Sequence, residues 1–176
     1  MREDLKKVVE WSKGILATKE QYAILDTETT GLHRAEMCEI AIMDLDKNTL
    51  LNTLIKPTVP IPQDAIAIHG ITNKDVENAP SFKDIYDSLF GIFQDRIILI
   101  YNVAFDTQII KNCCKVHGLA PLPLQAFCLM EPYAVYNGDW SVYHQSYTWV
   151  PLRGGNHRAM GDCKAALKYL ETMAQG

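Results

Sequence analysis

Three short segments hold the residues whose types and spacing could do chemistry. In the first, Asp26 and Glu28 close a continuous apolar run that begins QYAIL. Alternate residues of a strand point the same way, so both carboxylates would face one side. Two like charges beside a buried run are costly unless something positive neutralises them. A hard divalent cation does so through carboxylate oxygen. Alone, the pair reads equally well as the solvent-exposed end of a strand.

In the second segment, Asp106 follows the apolar run RIILIYN, in the first turn of the next helix. A carboxylate there also suits the helix dipole, worth ~0.5 kcal/mol. In the third, His157 and Asp162 stand five positions apart at the start of the last helix. That separation is a rise of ~7.5 Å if wholly helical. The two would not share a face, which disfavours joint ligation of one ion. Asp162 on a metal, with His157 reaching past it toward a water, is easier to build. A surface histidine near a cap and a helix-face aspartate is the plain alternative.

The elements that must position these residues follow from periodicity. Residues 3 to 17 read as an amphipathic helix through Leu5, Val8, Val9, Ile15 and Leu16, packed on the domain. QYAILD is a buried strand, and residues 37–45 and 49–56 are two more, joined by a turn at Asp46-Lys47-Asn48. Three prolines in PTVPIPQDAIAIHGIT exclude a regular strand interior. Asn73 to Val76 forms a helical turn, and Ser81 caps a helix running to about Phe93. RIILIYN is a buried strand, followed by the helix AFDTQIIKNCCKVHG, which Gly118 closes. A brief strand around Ala126 precedes a helix over Phe127 to Tyr136. Asn137 to Gly155 is a glycine- and aromatic-rich stretch without assignment. The last helix is expected from about His157 to Thr172, with Asn156 as its cap. A three-stranded meander, then alternating strand and helix, indicates an α/β mixed sheet with helices on its faces.

Bulk composition narrows the function classes. The 176 residues are 48% apolar and 22% charged, which suits a folded domain and excludes disorder. No apolar run approaches the ~20 residues of a membrane helix, and the charged start MREDLKKVVEWSKG does not suit a signal peptide. The expectation is a soluble cytoplasmic protein with no membrane partner. Five cysteines match no zinc spacing and read as buried free thiols. A net charge of −4 argues against a protein that grips long duplexes, so nucleic-acid contact should be short and local.

Taken together, DTETTGL, NVAFD and HRAMGD, in that order, resemble the signature of the DEDDh 3′→5′ exonucleases, with the H-x-A-x-x-D form of the last motif. That family includes the proofreading subunit of bacterial replicative polymerases, ribonuclease T and oligoribonuclease. The resemblance spans about residues 21–172, and PQDAIAIHGIT is similar to the polymerase-associated branch. The sister DEDDy form would place a tyrosine where this chain has Arg158. The resemblance implies a ribonuclease H-like sheet, with residues 1–20 a helical extension and 21–176 the exonuclease domain.

It also implies a mechanism. Asp26, Glu28, Asp106 and Asp162 would hold two Mg²⁺ or Mn²⁺ ions, with Asp26 bridging and Asp106 nearer the ion opposite the attacking water. His157 would take the proton from that water, for which an imidazole pKa near ~6.5 is suited. Thr29, Thr30, Gly31 and Leu32 would seat the terminal nucleotide, with Leu32 wedged against its base. His69, Asn102 and Phe105 are further pocket candidates, and His69 and Phe105 read equally as structural residues. Arg153, Arg158, Lys164 and Lys168 would meet incoming phosphates, or form a solvated helix face. Tyr143, Tyr147 and Trp149 would stack on bases, or pack. The implied activity is release of 5′-mononucleotides from single-stranded DNA 3′ ends. An exoribonuclease on short RNA and an inactive nucleic-acid adaptor are the alternatives. Action alone, as a homodimer or with a polymerase is left open.

Overall fold

The computed structural model describes residues 2–176. α1 (Glu3–Ala17) leads through a 3₁₀ turn into β1 (Tyr22–Thr29), followed by β2 (Met37–Asp44) and β3 (Thr49–Leu54). After α2 (Gln63–His69) and α3 (Phe82–Asp95) come β4 (Ile97–Ile100), α4 (Val103–Val116) and β5 (Ala126–Cys128). α5 (Met130–Asn137), a small hairpin of β6 (Trp140–Ser141) and β7 (Ser146–Tyr147), and α6 (Ala159–Gln175) complete the chain. The main sheet has the order β3-β2-β1-β4-β5. Its first three strands are antiparallel, and β1, β4 and β5 run parallel. This is the mixed sheet expected from the meander and the strand–helix alternation.

The pleat of the sheet decides which layer each residue meets. Ala23 and Leu25 join Ile40, Ile42, Ile98 and Ile100 in a core closed by α3 and α4. Ile24 joins Ala41, Met43 and Leu99 in the opposite core, closed by α1 and α6. Each isoleucine, leucine or methionine among them removed from water is worth about 1.5–3 kcal/mol. Four of the five free cysteines are buried and Cys128 is half-buried, as their apolar surroundings predict. Ser81 and Asp84 form a reciprocal capping box that starts α3. Among the described residues, no helix is long and apolar enough to cross a membrane.

Four of the departures from the sequence reading have a clear physical cause. The proline-bearing segment contains a two-turn helix, α2, because Pro62 stands at its N-cap, where a missing N–H costs nothing. The helix expected from Phe127 begins at Met130, since β5 pairs with β4 as far as Cys128. Within 137–155 the chain folds into the β6–β7 hairpin, whose Tyr147 hydroxyl donates to Asp4 of α1. The last helix begins at Ala159, with Arg158 rather than Asn156 as its cap residue. Glu39 of β2 displaces the local cap: its carboxylate accepts the Ala159 N–H at 2.9 Å, and three bonds from the Arg158 guanidinium group beside it.

Candidate active site

Both acids of β1 share the face of Ile24, which is the α6 side of the sheet. Asp26 lies opposite Ala41, and Glu28 opposite Glu39. α6 enters over this face and brings Asp162 to them. Asp26, Glu28 and Asp162 each offer a carboxylate oxygen, all within 4.8 Å of one another. Asp106 arrives from the other layer, in the first turn of α4. Thr27, which points to that side, donates to Asp106 Oδ1 at 2.7 Å. The site therefore sits at the carboxyl ends of the parallel strands β1 and β4, with acids drawn from both faces.

Burial and crowding raise the pKa of each of these carboxyls, so their negative charges are costly without a cation. Desolvation pushes Asp26 well above the usual carboxylate range, and the charges of Asp106, Asp162 and Glu28 add to it. Burial, then Asp162 and Glu39, lift Glu28 to about 8. Burial lifts Asp106 to about 7 against the opposing Thr27 hydrogen bond. Asp162 is raised by burial as well, although the Asn156 N–H lowers it by donating to Oδ1 at 3.0 Å. None of the four makes an ion pair among the described residues. Arg158, which partly offsets the charge around Glu28, is itself bound by Glu39 at 2.6 Å. An all-oxygen set with unmet negative charge fits hard divalent cations.

The other candidates fall into three groups. His157 is exposed and lies outside the helix, at φ 52, a left-handed conformation uncommon for a side chain of its size. It lies close enough to Asp162 to act on that carboxylate. Thr29 and Thr30 are buried, and their hydroxyls serve their own loop. Thr29 donates to the Gly31 carbonyl at 2.7 Å, and Thr30 accepts the Glu36 N–H at 3.0 Å. Gly31 has φ 147 with open space around it, and the next residue, Leu32, is 76% exposed.

His69 is buried behind this loop. Its Nε2–H donates to the Thr29 carbonyl at 3.2 Å, while Nδ1 accepts the Ile71 N–H at 3.0 Å. With Nδ1 used as an acceptor the ring is neutral, in keeping with a pKa lowered by burial. Asn102 stands exposed at the start of α4, its carbonyl accepting from Phe105 and Asp106. Phe105 is half-buried against the α3–α4 core.

The family model described as Exonuclease (RNase_T) matches residues 23–170. The chain belongs to this exonuclease family. The uncharacterized exonuclease CP81 of Escherichia phage 186 is 38% identical over 170 residues, 86% of this chain and 87% of the phage protein. DNA polymerase III subunit epsilon of Buchnera aphidicola subsp. Acyrthosiphon pisum is 33% identical over 121 residues. That match covers 62% of this chain and 51% of the subunit, so the chain spans about half of that relative. Exonuclease X, solved in complex with 5′ overhanging duplex DNA, is 27% identical with TM-score 0.60, over 88% of this chain and 93% of the other. E. coli exonuclease I in complex with a dT13 oligonucleotide shares the fold at TM-score 0.64, with 19% identity over 84% of this chain and 39% of the other.

This exonuclease is of the metal-dependent 3′→5′ DEDD type, and its acidic cluster is where divalent metal fits. Its site also depends on residues that sequence reasoning missed. Arg158, read as a phosphate contact or as part of a solvated helix face, is instead paired with Glu39, and together they set the start of α6. The available signal was an acid, Glu39, inside the otherwise apolar run MCEIAIM of β2. Gly155 is a second such residue: a β-carbon there would lie 1.8 Å from Asp162 Oδ1. At Gly161 one would lie 2.0 Å from Asn156 Oδ1. Only glycine lets the 154–156 turn close against Asp162.

Proposed function

We propose that this exonuclease removes nucleotides singly from single-stranded 3′ ends of DNA and releases nucleoside 5′-monophosphates. The observation that carries the reading is the meeting of Asp26, Glu28 and Asp162 within 4.8 Å, with buried Asp106 joined through Thr27. These four residues would hold two divalent ions, Mg²⁺ or Mn²⁺. Such a pair, when bound, activates water and stabilises the departing 3′ oxygen.

The remaining steps belong to the chain itself. His157 accepts the proton of the attacking water, from a position beside Asp162 that the helix does not constrain. The loop from Thr29 to Leu32 seats the terminal nucleotide. Gly31 lets the backbone approach the sugar, and exposed Leu32 wedges against the base. His69 braces that loop from behind through the Thr29 carbonyl. Asn102 and Phe105 flank Asp106 on the other wall. DNA as substrate is supported by the DNA bound in the Exonuclease X structure and by similarity to polymerase III epsilon subunits.

Matched 5′-labelled DNA and RNA single strands, digested with Mn²⁺, test the reading. The expected result is a ladder shortening by one nucleotide on DNA, with 5′-monophosphates as products. Faster shortening of RNA would replace DNA by RNA as the substrate. Intact 3′ ends on both would end the reading.

A further inference from the structure

α6 has a second functional face, turned away from the acids. Arg153, Lys164 and Lys168 surround a pocket of about 540 Å³ whose wall is made by Tyr133 and Tyr169. Those two rings stack with centroids 3.8 Å apart, and Tyr169 meets Tyr101 edge-on. The Arg153 N–H donates to the Tyr169 hydroxyl at 3.0 Å, which ties the 151–154 segment to the helix. The pocket is thus a built feature rather than a gap between mobile side chains.

Its charge runs against the rest of the molecule. The chain has 17 Lys and Arg against 21 Asp and Glu, yet no acid lines this pocket. Arg153, Lys164 and Lys168 are exposed, and none makes an ion pair among the described residues. Three cations gathered without a counter-charge repel one another unless an anion sits between them. Arg158, the fourth cation of this segment, is excluded from the group by its bond to Glu39.

A single turn separates the pocket from the catalytic acids. Gly154 lines it, whereas the adjacent Gly155 abuts Asp162, and Asn156 donates to that same carboxylate. One three-residue turn therefore has the basic pocket on one side and the acidic site on the other. We propose that Arg153, Lys164 and Lys168 bind phosphates of the substrate strand a few nucleotides 5′ of the end being cut. This rests on the exonuclease reading above. The occupant is the sugar–phosphate backbone, because cations line the opening and the tyrosine rings are engaged with each other.

The test is binding of a fluorescent, phosphorothioate-protected DNA 12-mer in Ca²⁺, titrated across salt concentrations. Each neutralised phosphate of a single strand adds about 0.7 to the slope of log K against log salt. The triple variant Arg153→Gln/Lys164→Gln/Lys168→Gln should lower that slope by about 2 and weaken binding about tenfold or more at low salt. Arg153→Gln alone should lower it by about 0.7. A control triple, Lys6→Gln/Lys13→Gln/Lys83→Gln, removes equal charge elsewhere and should leave the slope in place.

An unchanged slope in the pocket variants, or an equal fall in the control, would overturn the proposal. So would loss of polyglutamate binding with no change toward the strand, which would assign the pocket to an acidic protein segment. Because binding is read without cleavage, an enzyme inert on every 3′ end would defeat the exonuclease reading alone.

Discussion

The acids of β1 and the residues around the start of α6 reach the same site by different means. Asp26 and Glu28 are held by strand alternation, and their neighbours in the chain suffice to aim them. Asp162 and His157 depend on groups far along the chain: Glu39 sets where the helix begins, and Gly155 makes room for the carboxylate. The first arrangement resists single changes around it, whereas the second can be undone by a residue that never touches substrate.

The largest effect expected is on the strand side. Asp26→Asn should reduce nuclease activity to background and abolish Mn²⁺ binding measured by calorimetry. It should also raise the melting temperature of the metal-free protein, because an amide removes the cost of burying an ionisable group beside like charges. If the metal-free melting temperature falls instead, the crowding of the acids is not the dominant force there.

On the helix side, Glu39→Ala should lower kcat about 10- to 100-fold, the usual cost of removing support behind a ligand. Arg158→Ala should cost less, since Glu39 would still accept the Ala159 N–H. Equal losses in the two variants would mean that the ion pair, not the helix start, is what matters. Gly155→Ala should follow with about a tenfold loss of metal affinity, by the same reasoning about displaced ligands. Gly154→Ala, at φ 90, should cost about 1–3 kcal/mol of stability and spare the metal.

The smallest effect is read as stability against pH in chelator. Glu28, at about 8, and Asp106, at about 7, both lie above their unfolded values. Such groups favour the folded state when protonated, so their stabilisation is complete below the unfolded values near ~4, declines as pH rises from there, and is gone above about 7 and 8. The melting temperature should fall by about 10 °C between pH 6 and 8.5, at ~1.4 kcal/mol per pKa unit and ~2–4 °C per kcal/mol for a chain of this length. Mn²⁺ should remove most of that fall. A flat profile in chelator would separate the two regions no further and sink the claim of mutual repulsion.

The same contrast explains what could be read from residue order. The meander, the mixed sheet and the α4 helix were legible because apolar period and capping are local. Ser81 with Asp84 and the turn at Lys47 are examples. The start of α6 was misplaced by two residues because its cap comes from β2, a hundred and nineteen positions before Arg158. Arg158 looked like a phosphate contact or part of a solvated helix face for the same reason: its partner is a tertiary neighbour. The 137–155 segment resisted assignment because its hairpin has two-residue strands and leans on α1 through Tyr147.

The N-terminal helix lies outside the family match, yet Val8 and Ile15 share a core with Cys163, Leu167 and Leu170 of α6. It is a buttress for the element that carries Asp162. Trimming the chain to the matched span would strip the dry side of that helix and loosen a metal ligand from the far end. Shortened versions made for crystallisation or fusion should therefore keep residues 3–17, even though no chemistry is done there.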